Sequence, residues 1–189
     1  MNKKNCIIVH GCPSHVESNP NKRSYDKHWM PWIQKELELH GIRTVVPRMP
    51  NPSEPSYEAY KREFQKNKIG KNTILIGHSR GCAFLVRWLG ETKQNVEKLI
   101  LVAPYKLVVG DNKFKKDFSD FEIDESIHDR AEEIIIFTSD DEEKAGKDSV
   151  KIYHSALGGK IIELKGRGHY TRVDMGTERF PELLDETIL

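Results

Sequence analysis

Short β-branched apolar runs alternate along this chain with stretches of helical periodicity, and few folds accommodate that order. The runs lie near Asn5 to Val9, Ile42 to Val46, Thr73 to Ile76, Leu99 to Val102, Ile134 to Phe137 and Lys160 to Leu164. Most are continuously apolar, as strands are when helices cover both faces of a sheet. Between them, Trp29, Trp32, Ile33 and Leu37 mark one helical face with Gly41 as its stop, and Phe84, Leu85, Trp88 and Leu89 mark another. Aromatic and leucine residues at that spacing pack on a sheet, so Trp29 is assigned to the core rather than to a substrate box. The alternation predicts an α/β fold with a mostly parallel sheet of about six strands, right-handed crossovers and helices on both faces. Residues 1–189 show no compositional break or long linker, which predicts a single domain.

Within that frame one turn carries chemistry. Gly77, His78, Ser79, Arg80 and Gly81 follow directly on the apolar run ending at Ile76, so a serine sits where a buried strand turns sharply into a helix. Such an elbow strains the backbone at the serine, and a β-carbon on either flank would crowd the neighbouring strand or helix, hence the two glycines. A serine hydroxyl is a poor nucleophile near neutral pH unless an adjacent base takes its proton. Histidine suits that task, with a carboxylate to fix its tautomer and steady the imidazolium.

Both partners occur downstream, acid before histidine, each after an apolar run. Asp140 or Asp141 follows Ile134 to Phe137, and His169 stands in Gly166-Arg167-Gly168-His169 after Ile161 to Leu164. All would lie at the carboxyl ends of parallel strands, where open α/β sheets place their chemistry. The developing oxyanion needs N–H donors. One source is His10-Gly11-Cys12 after the first strand, and the other is the N–H of Arg80.

The remaining features exclude more than they add. Thirty basic and 29 acidic residues nearly cancel, so no global field favours nucleic acid, and Lys113 to Lys116 reads as a solvated loop. The apolar stretch after Lys3 and Lys4 is too short for a signal sequence or a membrane span, which predicts a cytoplasmic protein. Three cysteines, Cys6, Cys12 and Cys82, read as reduced thiols. His10, Cys12 and His15 lack a fourth ligand and zinc-site spacing, so no metal is assigned. No phosphate loop follows the first strand, which argues against a nucleotide or flavin cofactor. The prolines from Pro47 to Pro55 read as a rigid connection, and the long polar stretch from Tyr105 to Arg130 as a small lid.

Taken with Trp29 to Trp32, Pro47, Met49 to Pro52, Pro55 and Pro104, these motifs resemble the small serine hydrolases of the YdeN-like, retinoblastoma-binding-protein-nine type, within the α/β-hydrolase superfamily. The resemblance runs through most of the chain and implies a three-layer α/β-hydrolase-like fold. It implies Ser79 as nucleophile, His169 as base, Asp141 as acid, and Cys12 and Arg80 as oxyanion donors, with His10, Gly11, Gly77, His78 and Gly81 as supporting motif residues. Asp141 is preferred to Asp140 because the family uses the second of such a pair, and because adjacent side chains in an extended segment point to opposite sides. The chain departs from the family at Glu142 to Ala145, at Arg80 and in the polar loop Ser14 to Lys27. The Arg80 side chain is expected either to form a structural salt bridge or to meet an anionic substrate.

The expected activity is hydrolysis of a small carboxylic ester, thioester or amide through an acyl-serine, with neither metal nor organic cofactor. The alternative is a non-catalytic binding module on the same scaffold.

Overall fold

The computed structural model describes residues 4–12, 28–108 and 110–189. Six strands, β1 (Asn5–Val9), β2 (Arg43–Val45), β3 (Thr73–His78), β4 (Val96–Val102), β5 (Ala131–Ser139) and β6 (Lys160–Leu164), form one sheet in the order β2-β1-β3-β4-β5-β6. Every neighbouring pair is parallel. All six lie where the apolar runs predict them. β3 extends two residues beyond its run, pairing Gly77 with Leu101 and His78 with Val102, so the strand reaches the residue before the elbow serine.

Among the described residues the helices are α1 (Met30–Leu39), α2 (Tyr57–Phe64), α3 (Arg80–Thr92), α4 (Lys113–Ser119), α5 (Lys144–Leu157), α6 (Arg172–Met175) and α7 (Pro181–Ile188). Strand side chains alternate between two buried layers. Ile7, Val9, Leu75, Leu99, Leu101 and Ile136 pack with Tyr60 and Phe64 of α2, Phe84 and Trp88 of α3, Phe118 of α4 and Tyr153 of α5. Cys6, Ile8, Ile74, Ile76, Ile100 and Phe137 pack with Trp29 just before α1, Ile33 and Leu37 of α1, Met175 of α6 and Leu183 of α7. The result is the predicted three-layer α/β arrangement. Trp29 is fully buried, edge-on to Phe180 at 5.7 Å and to His78 at 5.9 Å, as a core residue should be.

The strand order explains where a site can form. From β1 the chain moves outward to β2, then returns across β1 to β3 and proceeds the other way, so adjacent connections leave the sheet in opposite directions between β1 and β3. A crevice opens at the carboxyl ends of strands at such a reversal. Gly11 and Cys12 leave β1 there, and Ser79 leaves β3 there.

The stretch from Tyr105 to Arg130 holds α4 and a 3-10 turn, Glu125–Asp129. It is tied down by side chains: Lys106 Nζ donates to the Phe121 carbonyl at 2.7 Å, and Arg87 and Arg130 reach the Asp117 carbonyl and Asp124 respectively.

Candidate active site

Ser79 occupies a left-handed backbone conformation, φ 54° and ψ −121°, between the last residue of β3 and the first of α3. Non-glycine residues rarely adopt it, and surrounding structure must hold it in place. Here the Ser79 N–H donates to the Val102 carbonyl at 2.9 Å, and the Ser79 carbonyl accepts from Cys82 at 3.1 Å and Tyr105 at 3.2 Å. The flanking glycines make the turn sterically possible. A β-carbon at Gly81 would stand 2.2 Å from the Val9 carbonyl oxygen, and one at Gly77 would stand 2.8 Å from the Cys82 backbone. Gly11 serves the same purpose from β1, since a methyl group there would meet the Ser79 β-carbon at 2.8 Å.

His169 reaches Ser79 from the turn after β6. Its Nε2 lies 2.9 Å from Ser79 Oγ, as close as a hydrogen bond requires, although 90 residues separate them in sequence. Several groups hold that turn. Gly168 has φ 46° and no room for a β-carbon against Asp174, and the Asp174 carboxylate accepts from the His169 N–H at 3.2 Å. The His169 carbonyl accepts from His78 Nε2 at 2.9 Å, so the residue before Ser79 fixes the backbone of His169. Tyr170, fully buried, donates its hydroxyl to the Thr138 carbonyl at 2.6 Å.

The acid is where expectation and structure part. Neither Asp140 nor Asp141 meets the histidine: Asp140 accepts from the Gly166 N–H at 2.8 Å, and Asp141 accepts from the Gly168 N–H at 2.8 Å and from the Ser139 hydroxyl. These donors hold the Asp141 carboxyl below the usual aspartate range, Ser139 first and Gly168 second. Glu142 stands against the ring instead, its Oε2 2.9 Å from His169 Nδ1. Its side chain is 1 % exposed while that of His169 is 28 % exposed. The cause is local geometry. Asp140 and Asp141 form a turn closed by Glu142 N–H to Ser139 carbonyl at 3.2 Å, not the extended segment on which the choice between them depends. The turn carries the third carboxylate of the acidic run inward, and the longer glutamate arm spans the gap. Gly146 of α5 clears the slot, since a β-carbon there would lie 2.7 Å from Glu142 Cγ and Cδ. The one sequence cue is the run of four acids, Asp140 to Glu143, after β5, which does not reveal how far the turn rotates.

The supporting motif residues are structural struts. His10 is buried, its Nδ1 donating to the Gly11 carbonyl at 2.8 Å while Nε2 accepts from the Met49 N–H at 3.2 Å, which joins the turn after β1 to the proline-rich connection. Those contacts occupy both ring nitrogens. His15 and the Ser14 to Lys27 loop lie outside the described residues. Burial lowers the proton affinity of His10, and still more that of His78. Cys12 places its thiol 3.6 Å from the Tyr60 hydroxyl, and burial pushes that thiol up to about 11. Cys82 is buried in α3 with its thiol raised in the same way. The Arg80 side chain forms no salt bridge among the described residues: it donates to Ser119 Oγ at 2.7 Å and to the Leu107 carbonyl at 3.3 Å.

The serine hydrolase family model matches residues 19–186, a span that includes Ser79, Glu142 and His169. The chain belongs to the serine hydrolase family. Among relatives of this hydrolase, YdeN of Bacillus subtilis strain 168 is 24 % identical over 187 residues, covering 96 % of this chain and 93 % of its own. The crystal structure of the ydeN gene product superposes with a TM-score of 0.84 at 23 % identity, covering 98 % of this chain and 97 % of that one. Est1E from Butyrivibrio proteoclasticus, solved with ferulic acid bound, has a TM-score of 0.64 at 14 % identity over 98 % of this chain and 86 % of its own. These likenesses establish the α/β-hydrolase fold of the serine hydrolase. Among the described residues no helix is long and apolar enough to cross a membrane.

Proposed function

We propose that this serine hydrolase cleaves a small carboxylic ester, thioester or amide through an acyl intermediate on Ser79, with His169 as general base and Glu142 as the orienting acid. The observation that carries the proposal is the unbroken relay from Ser79 Oγ through both nitrogens of one imidazole to a buried carboxylate, each step 2.9 Å. Glu142 accepts the Nδ1–H of His169, which leaves Nε2 free to take the serine proton as Oγ attacks the substrate carbonyl. The negative carboxylate then stabilises the imidazolium. The oxyanion is received by the backbone N–H groups of Cys12 and Arg80, a role supported by the contact of Gly11 with Ser79 and by the position of Arg80 as first residue of α3. His169 returns its proton to the leaving alkoxide, thiolate or amine, and water, deprotonated by the same ring, releases the acid and regenerates Ser79.

A rapid-mixing experiment with 4-nitrophenyl acetate tests this mechanism. An initial burst of nitrophenol approaching one equivalent per active chain, absent in Ser79→Ala, is expected. Equal turnover by the two proteins would overturn the assignment of Ser79.

A further inference from the structure

Among the described residues Arg80 carries a charge with no carboxylate to answer it. The residue is 6 % exposed, yet its hydrogen-bond partners are a hydroxyl, Ser119 Oγ, and a carbonyl, that of Leu107. Its Cζ lies 5.3 Å from the centre of the Tyr105 ring, also neutral. The groups that act on it electrostatically are Cys12, Tyr105 and Tyr153, each kept protonated by burial. The Tyr105 hydroxyl in turn donates to Glu143. Several other cations have carboxylate partners, Arg130 and Lys93 on Asp124, Lys61 on Glu91 and Lys98 on Glu133, while the more exposed Lys106 and Arg87 reach carbonyls and aromatic rings. Among the described residues Arg80 has no carboxylate partner.

A guanidinium keeps its proton even when buried, and withdrawing such a charge from water without a counter-ion costs several kcal/mol. A neutral glutamine would bridge a hydroxyl and a carbonyl with less desolvation, so bracing α4 does not explain an arginine. Two contacts also leave most of its five N–H donors uncommitted. One aromatic ring separates the charge from His169. Tyr105, whose face it meets, presents its ring edge-on to His169 at 5.5 Å, and Cys12 belongs to the turn that abuts Ser79. Leu107, whose carbonyl accepts one of its bonds, is 38 % exposed.

We propose that the Arg80 guanidinium is the anchor for a carboxylate on the substrate, making this hydrolase selective for esters or thioesters that carry a negative charge. The inference rests on the acyl-serine reading for the reaction, but not for the binding. Carboxylate matches the planar fork of the guanidinium and supplies the missing counter-charge.

Two measurements test it. In the first, the Ser79→Ala protein is titrated calorimetrically with monomethyl succinate and with methyl butyrate as the neutral match. Saturable binding of the first, at least tenfold tighter than the second and weakened by the further change Arg80→Gln more than by Arg80→Lys, is expected. In the second, wild-type kcat/KM is compared for 4-nitrophenyl hemisuccinate, 4-acetoxybenzoate and neutral 4-nitrophenyl butyrate, which distinguishes an acyl-side from a leaving-group-side anion. One anionic ester should exceed the neutral one by tenfold or more, and the ratio should collapse in Arg80→Gln and partly return in Arg80→Lys. Equal binding of the charged and neutral esters by Ser79→Ala, together with no Arg80-dependent gain in kcat/KM for 4-acetoxybenzoate, overturns the anchor. An unchanged ratio in Arg80→Gln does the same. Tight binding in a protein that forms no acyl-enzyme would overturn the reaction while leaving the anchor intact.

Discussion

Replacing Glu142 with glutamine distinguishes a glutamate as the orienting acid from the aspartate that the sequence alone suggests. Glutamine is isosteric and stays able to accept from His169 Nδ1, so the fold is expected to survive; what disappears is the negative charge beside the imidazolium. With Oε2 2.9 Å from Nδ1, the charge centres lie roughly 4 Å apart, where an effective dielectric near 20 makes their attraction about 4 kcal/mol. At about 1.4 kcal/mol per decade that corresponds to roughly a thousandfold in rate. The amide can also present its NH2 to the ring and favour the wrong tautomer, which brings the expected loss in kcat to about 10³–10⁴-fold. No water compensates, because the Glu142 side chain is 1 % exposed. Asp141→Asn instead keeps an oxygen to accept the Gly168 N–H at an exposed position, and its loss should stay under about tenfold. The assay is kcat and KM on 4-nitrophenyl acetate for both variants, with circular dichroism to verify folding. A larger loss in Asp141→Asn than in Glu142→Gln, both folded, would falsify the placement of the acid.

Gly146→Ala should raise the helical propensity of α5 by roughly 1 kcal/mol, yet its methyl group would displace the Glu142 carboxyl, so thermal stability is expected to hold while kcat falls by about tenfold or more. Unchanged kcat would show that Gly146 has no part in seating the acid. Stability should also depend on pH through His10 and His78, whose proton affinities burial lowers below the ordinary value of 6.5. The unfolded chain then binds more protons than the folded one below about pH 6.5, so their contribution is complete above that pH and lost as pH falls, by up to about 1.4 kcal/mol per unit for each ring. Urea midpoints between pH 7.5 and 5 should decline accordingly, and a flat profile would contradict neutral burial of both.

How much of the fold and the site is legible in the sequence follows from what each signal depends on. The sheet is readable because β-branched runs and helical stripes record burial on both faces directly, and the elbow because Gly77, Ser79 and Gly81 answer a backbone constraint local to five residues. His169 is found through its turn glycines and its place after the last strand. Glu142 is not, since choosing among four consecutive acids requires knowing that Asp140 and Asp141 turn rather than extend, and that Gly146, four residues further on, opens a slot for the longer side chain. Both facts belong to the packing of α5 against β5. That Arg80 meets no carboxylate among the described residues is equally invisible, because the surroundings of a side chain are a property of three dimensions.

The central claim is that Ser79 is the residue acylated. Treating the wild-type chain with a fluorophosphonate probe and mapping the adduct by peptide mass spectrometry measures that directly. One adduct per chain on the peptide containing Ser79, slowed strongly by Glu142→Gln and missing in Ser79→Ala, is the predicted result. An adduct on another residue, or undiminished labelling of Ser79→Ala, would contradict it.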